Sequence, residues 1–292
     1  MLLAIILISS FFWLVVIWWF RQRERAFVAT VQQHKVTLRS SYLGDERELV
    51  IFAPAGYEKG AGRVYPVVYI LDGQEHEALA VQRTLAHLWK YGHLKRLLVV
   101  MVPTGGDRFQ EYGVADIPNG HGLAKLAAAH NQFLVEEVRP YVVREWGGAA
   151  EGAGLVGMSL SGLAAFVLGW QRPDLFSTVG VFSGSFWWRT GEGADGYPAN
   201  ERIGPLVVAK KGYQAGWRVW IQAATQDEWS DRDGDGVIDA IQDSLEVVGA
   251  LEEVGYERGR EVVYDEVLGG RHHYGTWAEV LPRFLRWGFS RL

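Results

Sequence analysis

Ser159 stands in the run Gly157-Met158-Ser159-Leu160-Ser161-Gly162, where the apolar stretch Gly154-Leu155-Val156 gives way to the helix-prone Leu163-Ala164-Ala165-Phe166-Val167-Leu168. A serine on a sharp strand-to-helix turn projects its hydroxyl above the edge of a sheet, and the N–H of the next residue points at the same spot. Small neighbours let strand and helix approach closely enough for the turn to close. The usual G-x-S-x-G pattern has glycine where this chain has Ser161. The competing use of such a serine is as a helix N-cap.

A lone serine hydroxyl is a poor nucleophile, so a base must take its proton and a third group must orient that base. Asp227 follows the strand-like run Arg218 to Ala224, and His272 follows Glu261 to Val267 after two glycines. Nucleophile, acid and base therefore come in one of the chain orders in which they recur, each on a loop after a strand. Glu228 is the rival acid and His273 the rival base; the other six of the eight histidines precede Ser159. An oxyanion formed on acyl attack needs two backbone donors. The N–H of Leu160 is one, and the loop after the third strand points to Gln74 as the other. Trp187 and Trp188 come soon after a strand end, where open sheets place their ligand crevice, and are candidate pocket walls against the alternative of core packing.

A separate signal is Asp231-Arg232-Asp233-Gly234-Asp235-Gly236-Val237-Ile238-Asp239. The D-x-D-x-D-G spacing wraps oxygen ligands round a hard cation, with glycine at the sharp turn and the following carbonyl, here that of Val237, as a further ligand. Calcium is the natural occupant, and a solvated acidic turn is the plainer alternative. Gln242 stands where an EF-hand has its bidentate glutamate, which leaves Asp239 and Asp243 to close the shell. The loop begins four residues after Asp227, so a structural calcium ion would stiffen the segment holding the acid.

These groups need a scaffold, and the hydrophobic pattern supplies one. His34 to Leu38 and Arg47 to Phe52 read as a strand pair joined through Gly44-Asp45. Tyr65 to Leu71 and Leu97 to Val102 are nearly continuous apolar runs, as expected of strands covered on both faces. Helices are expected over about 77–91, 122–146 and 238–255, and a last one places Trp277, Leu281, Phe284, Leu285 and Gly288 on one face. Strands alternating with helices imply an α/β protein with a mostly parallel central sheet and helices on both faces.

A chain of 292 residues with 49% hydrophobic composition can bury one catalytic-sized core, whereas two full domains would be cramped. Its net charge of -5 argues against nucleic acid as the main partner. The absence of cysteine excludes disulfides, thiol nucleophiles and Cys-ligated zinc. Met1 to Phe20 carries no charged side chain before Arg21-Gln22-Arg23-Glu24-Arg25, and a helix of that length spans a bilayer core. We therefore expect a transmembrane anchor over 1–20, a linker over 21–33, and one domain over 34–292 with the calcium-type loop 231–239 inserted. The arginine flank favours a cytoplasmic domain.

Taken together, several of these segments resemble the esterase branch of the α/β-hydrolases, which includes siderophore and feruloyl esterases, S-formylglutathione hydrolases and mycolyltransferases. They are Tyr65 to Gln74, Arg108 with Glu111-Tyr112, Gly157 to Gly162, Ser183-Gly184-Ser185-Phe186-Trp187-Trp188, and Gly270-Arg271-His272-His273-Tyr274-Gly275-Thr276-Trp277. The resemblance implies an α/β-hydrolase fold and a serine esterase with Ser159 as nucleophile, His272 as base, Asp227 as acid and Gln74 as an oxyanion donor. It also implies Arg108 beside Trp187 and Trp188 in the substrate pocket, a small-molecule ester as substrate, and no organic cofactor. Many such proteins are exported, and a calcium loop suits a calcium-rich compartment. The expectation is thus a single-pass membrane protein with its domain outside the cytoplasm. Acyl transfer to another acceptor and a catalytically silent tethered binding module are the alternatives.

Overall fold

Apolar runs alternating with helices assemble into one eight-stranded sheet in the order β1-β2-β4-β3-β5-β6-β7-β8. The strands are β1 (Gln32–Arg39), β2 (Glu46–Ala53), β3 (Val67–Leu71), β4 (Leu98–Val102), β5 (Ala153–Met158), β6 (Phe176–Phe182), β7 (Arg218–Gln226) and β8 (Val262–Arg271). β1 and β2 pair antiparallel, as does β2 with β4, and the remaining pairs are parallel. The computed structural model describes residues 13, 16–19, 21–115, 117, 122–189 and 202–291.

The side-chain period of two sends alternate strand residues to opposite faces. Tyr69, Val100, Leu155, Val179 and Ile221 meet the helices Leu160–Gln171, Ile203–Lys211 and Asp239–Glu253 on one face. Ile70, Met101, Val156 and Phe182 meet Val81–Lys90 and Tyr274–Phe289 on the other. Because both faces are covered, β3 and β4 are buried along their whole length, which is why they read as unbroken apolar runs. Parallel strands also put their C-terminal ends on a single edge, where Asp72, Ser159, Ser183, Asp227 and His272 emerge.

Several expected boundaries move. The helix expected over 122–146 is divided into Ala127–Gln132, a π-helical segment Phe133–Val138 and Arg139–Trp146. Ala124 at φ 63 delays its start. Pro140, near the start of the last segment, has no N–H to give the helical ladder. β8 runs on through Gly269-Gly270-Arg271, which the pattern assigns to a loop, so His272 follows the strand directly. Within the expected linker, residues 21–28 are helical. Phe27 packs edge-on against His87 at 5.1 Å, and β1 starts at Gln32. The expected span 1–20 lies largely outside the described residues, among which no helix is long and apolar enough to cross a membrane. Part of the stretch following Trp188, 190–201, also lies outside them.

Candidate active site

β5 ends in Met158, and Ser159 then takes φ 56 and ψ -122. That is outside the regions open to most L-residues and costs on the order of 1–3 kcal/mol. A Cβ on Gly157 would run into the carbonyl of Ser161, so only glycine lets the helix Leu160–Gln171 begin this close to the strand. Ser159 occupies the N-cap position of that helix, yet its side chain makes no capping hydrogen bond. Its Oγ lies 3.5 Å from Ser185 Oγ. The main chain is fixed on both sides: Ser159 N–H donates to the Phe182 carbonyl at 2.9 Å, and Ser185 N–H to the Ser159 carbonyl at 3.1 Å.

Ser159 faces a cleft of about 260 Å³ whose walls include Ser185, Trp187, Asp227, Glu228 and His272. His272 Nδ1 lies 3.6 Å from Asp227 Oδ1, longer than a hydrogen bond. The Asp227 side chain is fully buried, with Ser183 Oγ donating to Oδ1 at 2.9 Å and Ala224 N–H donating to Oδ2 at 2.8 Å. Ser183 in turn accepts from Trp277 Nε1 at 2.9 Å. The Trp277 ring stands edge-on to His272 at 5.2 Å, so one indole supports both the acid's partner and the imidazole. Among the described residues the carboxylate that faces His272 within 4 Å is that of Asp227. Glu228 lies in the same cleft, its pKa raised by burial and then by the charges of Asp239, Asp243 and Asp227. His273 does something else: its Nδ1 accepts from Gly275 N–H at 3.0 Å and caps the last helix. Ser183 is a site residue that the motif Ser183-Gly184-Ser185 carries without declaring; its position straight after a strand end was the available signal.

Two expected pocket residues sit elsewhere. Trp187 is 44% exposed on the cleft, whereas Trp188 is fully buried against Gly113 and is a core residue. The two rings lie 5.8 Å apart and are tilted by 32°, so the pair runs from the core to the cleft wall. Arg108 does not line the cleft. Its guanidinium forms a bidentate pair with buried Asp72, at 2.7 and 2.8 Å, and also donates to the Met158 carbonyl at 3.1 Å. A buried carboxylate needs such a partner, which the sequence interval between the two hides. Gln74 belongs to the turn Gly73–Glu75 after β3, where its amide donates to Asp72 Oδ1 and accepts from Thr104 N–H, both at 3.3 Å. Leu160 opens the helix after Ser159 and is buried.

Behind Arg108, Asp72 N–H donates to the hydroxyl of buried Tyr112 at 2.8 Å, and the His130 ring stands edge-on to Tyr112 at 5.0 Å. Burial, with a smaller push from Arg47, lowers the His130 pKa from 6.5 to about 4. The folded protein therefore holds His130 neutral over a range where the unfolded chain protonates it. Its contribution is full above about pH 6.5 and is lost as pH falls toward 4, by on the order of 3 kcal/mol. Urea melts of a His130→Phe variant should show a shallower loss over that interval, and parallel pH curves would refute the assignment.

In the acidic loop, carboxylate oxygens of Asp231, Asp233 and Asp235 come within 4.8 Å of one another. Gly234 and Gly236 N–H groups donate to Asp231 at 2.8 and 3.0 Å, and Val237 N–H donates to Asp235 Oδ1 at 2.8 Å. Asp239 is not part of this group: its Oδ1 accepts from the Arg232 N–H at 3.0 Å and lies 3.4 Å from Arg232 Nη1. Asp243 is likewise held by Arg232 at 2.6 Å and Arg202 at 3.3 Å. Arg232 sits between the aspartates of the motif and draws the later ones away. Three aspartates fit a hard cation; the two expected to complete its shell are engaged elsewhere.

A mostly parallel sheet in this strand order, with a serine elbow on its C-terminal edge facing histidine and aspartate loops, defines the α/β-hydrolase class of fold. The family model described as Putative esterase matches residues 40–287, and the chain belongs to that family. It is 26% identical over 164 residues to the uncharacterized protein YbbA of Bacillus subtilis, covering 51% of this chain and 61% of that one. In structure it is similar to a ferulic acid esterase, with a TM-score of 0.67 at 17% identity, covering 89% of this chain and 97% of the other. It is also similar to the enterobactin esterase of Shigella flexneri, with a TM-score of 0.65 at 19% identity, covering 87% and 58%. The chain thus spans less than two thirds of YbbA and of the Shigella enzyme, and at these identities the structural likeness is one of fold.

Proposed function

We propose that the protein hydrolyses a small carboxylic ester through an acyl-enzyme on Ser159. The observation that carries the reading is the uncapped Ser159 hydroxyl at φ 56, sharing one cleft with a histidine whose Nδ1 faces a buried aspartate. With Nδ1 turned to Asp227, His272 presents Nε2 as the nitrogen able to take the Ser159 proton and return it to the leaving alcohol. The Ser159 oxygen bonds to the acyl carbon, the alkoxide leaves with that proton, and water reverses the sequence to free the acid. The backbone N–H groups of Leu160 and Gln74 stabilise the oxyanion. Turnover of p-nitrophenyl acetate, together with labelling of Ser159 by a fluorophosphonate, tests the reading. Failure of both would overturn it.

The loop 231–239 supports a structural calcium ion held by Asp231, Asp233 and Asp235. Its removal by EDTA should lower the Tm by about 5 °C, if loss of a ligand at 100-fold excess over its Kd removes about 2.7 kcal/mol. Calcium, and not magnesium, should restore it; an unchanged Tm would remove the ion from the account. The uncharged run Met1 to Phe20 supports a single-pass membrane anchor, and the calcium-type loop supports a domain outside the cytoplasm.

A further inference from the structure

We infer that Asp72 and Ser161 are a pair of positioning residues that lock the turn after β3 to the nucleophile elbow; the inference rests on the reading of Ser159 as nucleophile. The two oxyanion donors come from different strand ends, Gln74 after β3 and Leu160 after β5. The ladder between these strands pairs Val68 with Gly154, Tyr69 with Leu155 and Ile70 with Val156, and both turns lie beyond it. A separate connection must fix their spacing.

The structure contains one. Ser161 Oγ accepts from Met158 N–H at 2.8 Å and donates to Asp72 Oδ2 at 2.6 Å, between two side chains that are both fully buried. Arg108 closes the same link from the other side, holding Asp72 through two hydrogen bonds while its Nη2 reaches the carbonyl of Met158. On the β3 side the turn has little freedom. Asp72 is held at φ 55, and a Cβ on Gly73 would stand 2.5 Å from the Met101 carbonyl carbon and 2.6 Å from Val102 N. The turn is thus pressed against β4 and tethered toward β5. A glycine at 161 could make neither of the serine's hydrogen bonds, which accounts for the departure from G-x-S-x-G.

The pair touches no reacting atom, so its effect should fall on kcat rather than on ground-state binding. In the full-length protein, Ser161→Ala and Asp72→Asn should lower kcat on p-nitrophenyl acetate, counted per site titrated by fluorophosphonate, by roughly 10- to 100-fold. KM should stay within about twofold, while an alkyl boronic acid, which forms a tetrahedral adduct in the oxyanion site, should bind more weakly by a similar factor. Ser161→Ala removes a single oxygen and keeps the test available if Asp72→Asn does not fold. Unchanged kcat per titrated site, or a fall in titre and Tm alone, would overturn the inference. A wild-type protein that neither turns over ester nor takes the label would instead overturn the esterase reading, and this inference with it.

Discussion

Ser159→Ala is expected to lower ester turnover by at least about 10,000-fold while leaving the fold in place. The side chain that is lost makes no cap to the helix Leu160–Gln171, and its Oγ has one long contact, 3.5 Å to Ser185. Little stability therefore depends on it. The main-chain bonds of residue 159 to Phe182 and Ser185 do not involve the hydroxyl and remain. Alanine is less tolerant than glycine of the positive φ, but no less so than serine, so the turn keeps its strain and loses only its nucleophile. Initial rates with p-nitrophenyl acetate and a thermal melt read the two halves of this expectation. Equal rates in wild type and variant would place the chemistry elsewhere, and a collapsed melt would assign the hydroxyl a structural role.

Asp227→Asn should cost on the order of 1,000-fold in kcat, and Glu228→Gln less than about tenfold. Both oxygens of Asp227 already accept a donor, Oδ1 from Ser183 and Oδ2 from Ala224 N–H. A carboxamide that keeps its oxygen on the Ala224 N–H turns its NH2 to Ser183 Oγ, which must then give up its donor role, and it offers no charge to an imidazolium forming 3.6 Å from Oδ1. Glu228 has no such contact with His272 among the described residues, and burial already disfavours its charged form. A larger loss from the Glu228 variant than from the Asp227 variant would exchange their roles.

What the chain declares and what it conceals follow one physical rule. β3 and β4 are legible because full burial on both faces leaves an unbroken apolar run, and that signal is local. Ser159, Asp227 and His272 are legible for a related reason: each follows a strand, and parallel strands bring their ends to one edge. The link from Ser161 to Asp72 joins positions 89 apart, and no local pattern marks it. The same holds for Arg108, for which the family resemblance implies a substrate contact until its partner Asp72 is seen. Trp187 and Trp188 are adjacent and their rings touch, and no local pattern marks which of them is exposed. Asp239 has the right spacing for a metal ligand, but the spacing says nothing of Arg232, which captures it.

The polarity of the strands carries one more consequence. The helical residues 21–28 pack through Phe27 on His87, with Lys90 over the same ring at 4.5 Å, and Lys90 ends the helix that returns from the β3 turn to the opposite edge of the sheet. β1 enters there too, since Gln32 pairs with Ala53 and the neighbouring Phe52 pairs with Val99 at the start of β4. The cleft opens beyond the far ends of strands some five residues long, or roughly 16 Å away. Whatever is attached through residues 21–31, whether a bilayer, a fusion partner or a coated bead, therefore joins the domain at the edge opposite the cleft, away from the Ser159 hydroxyl.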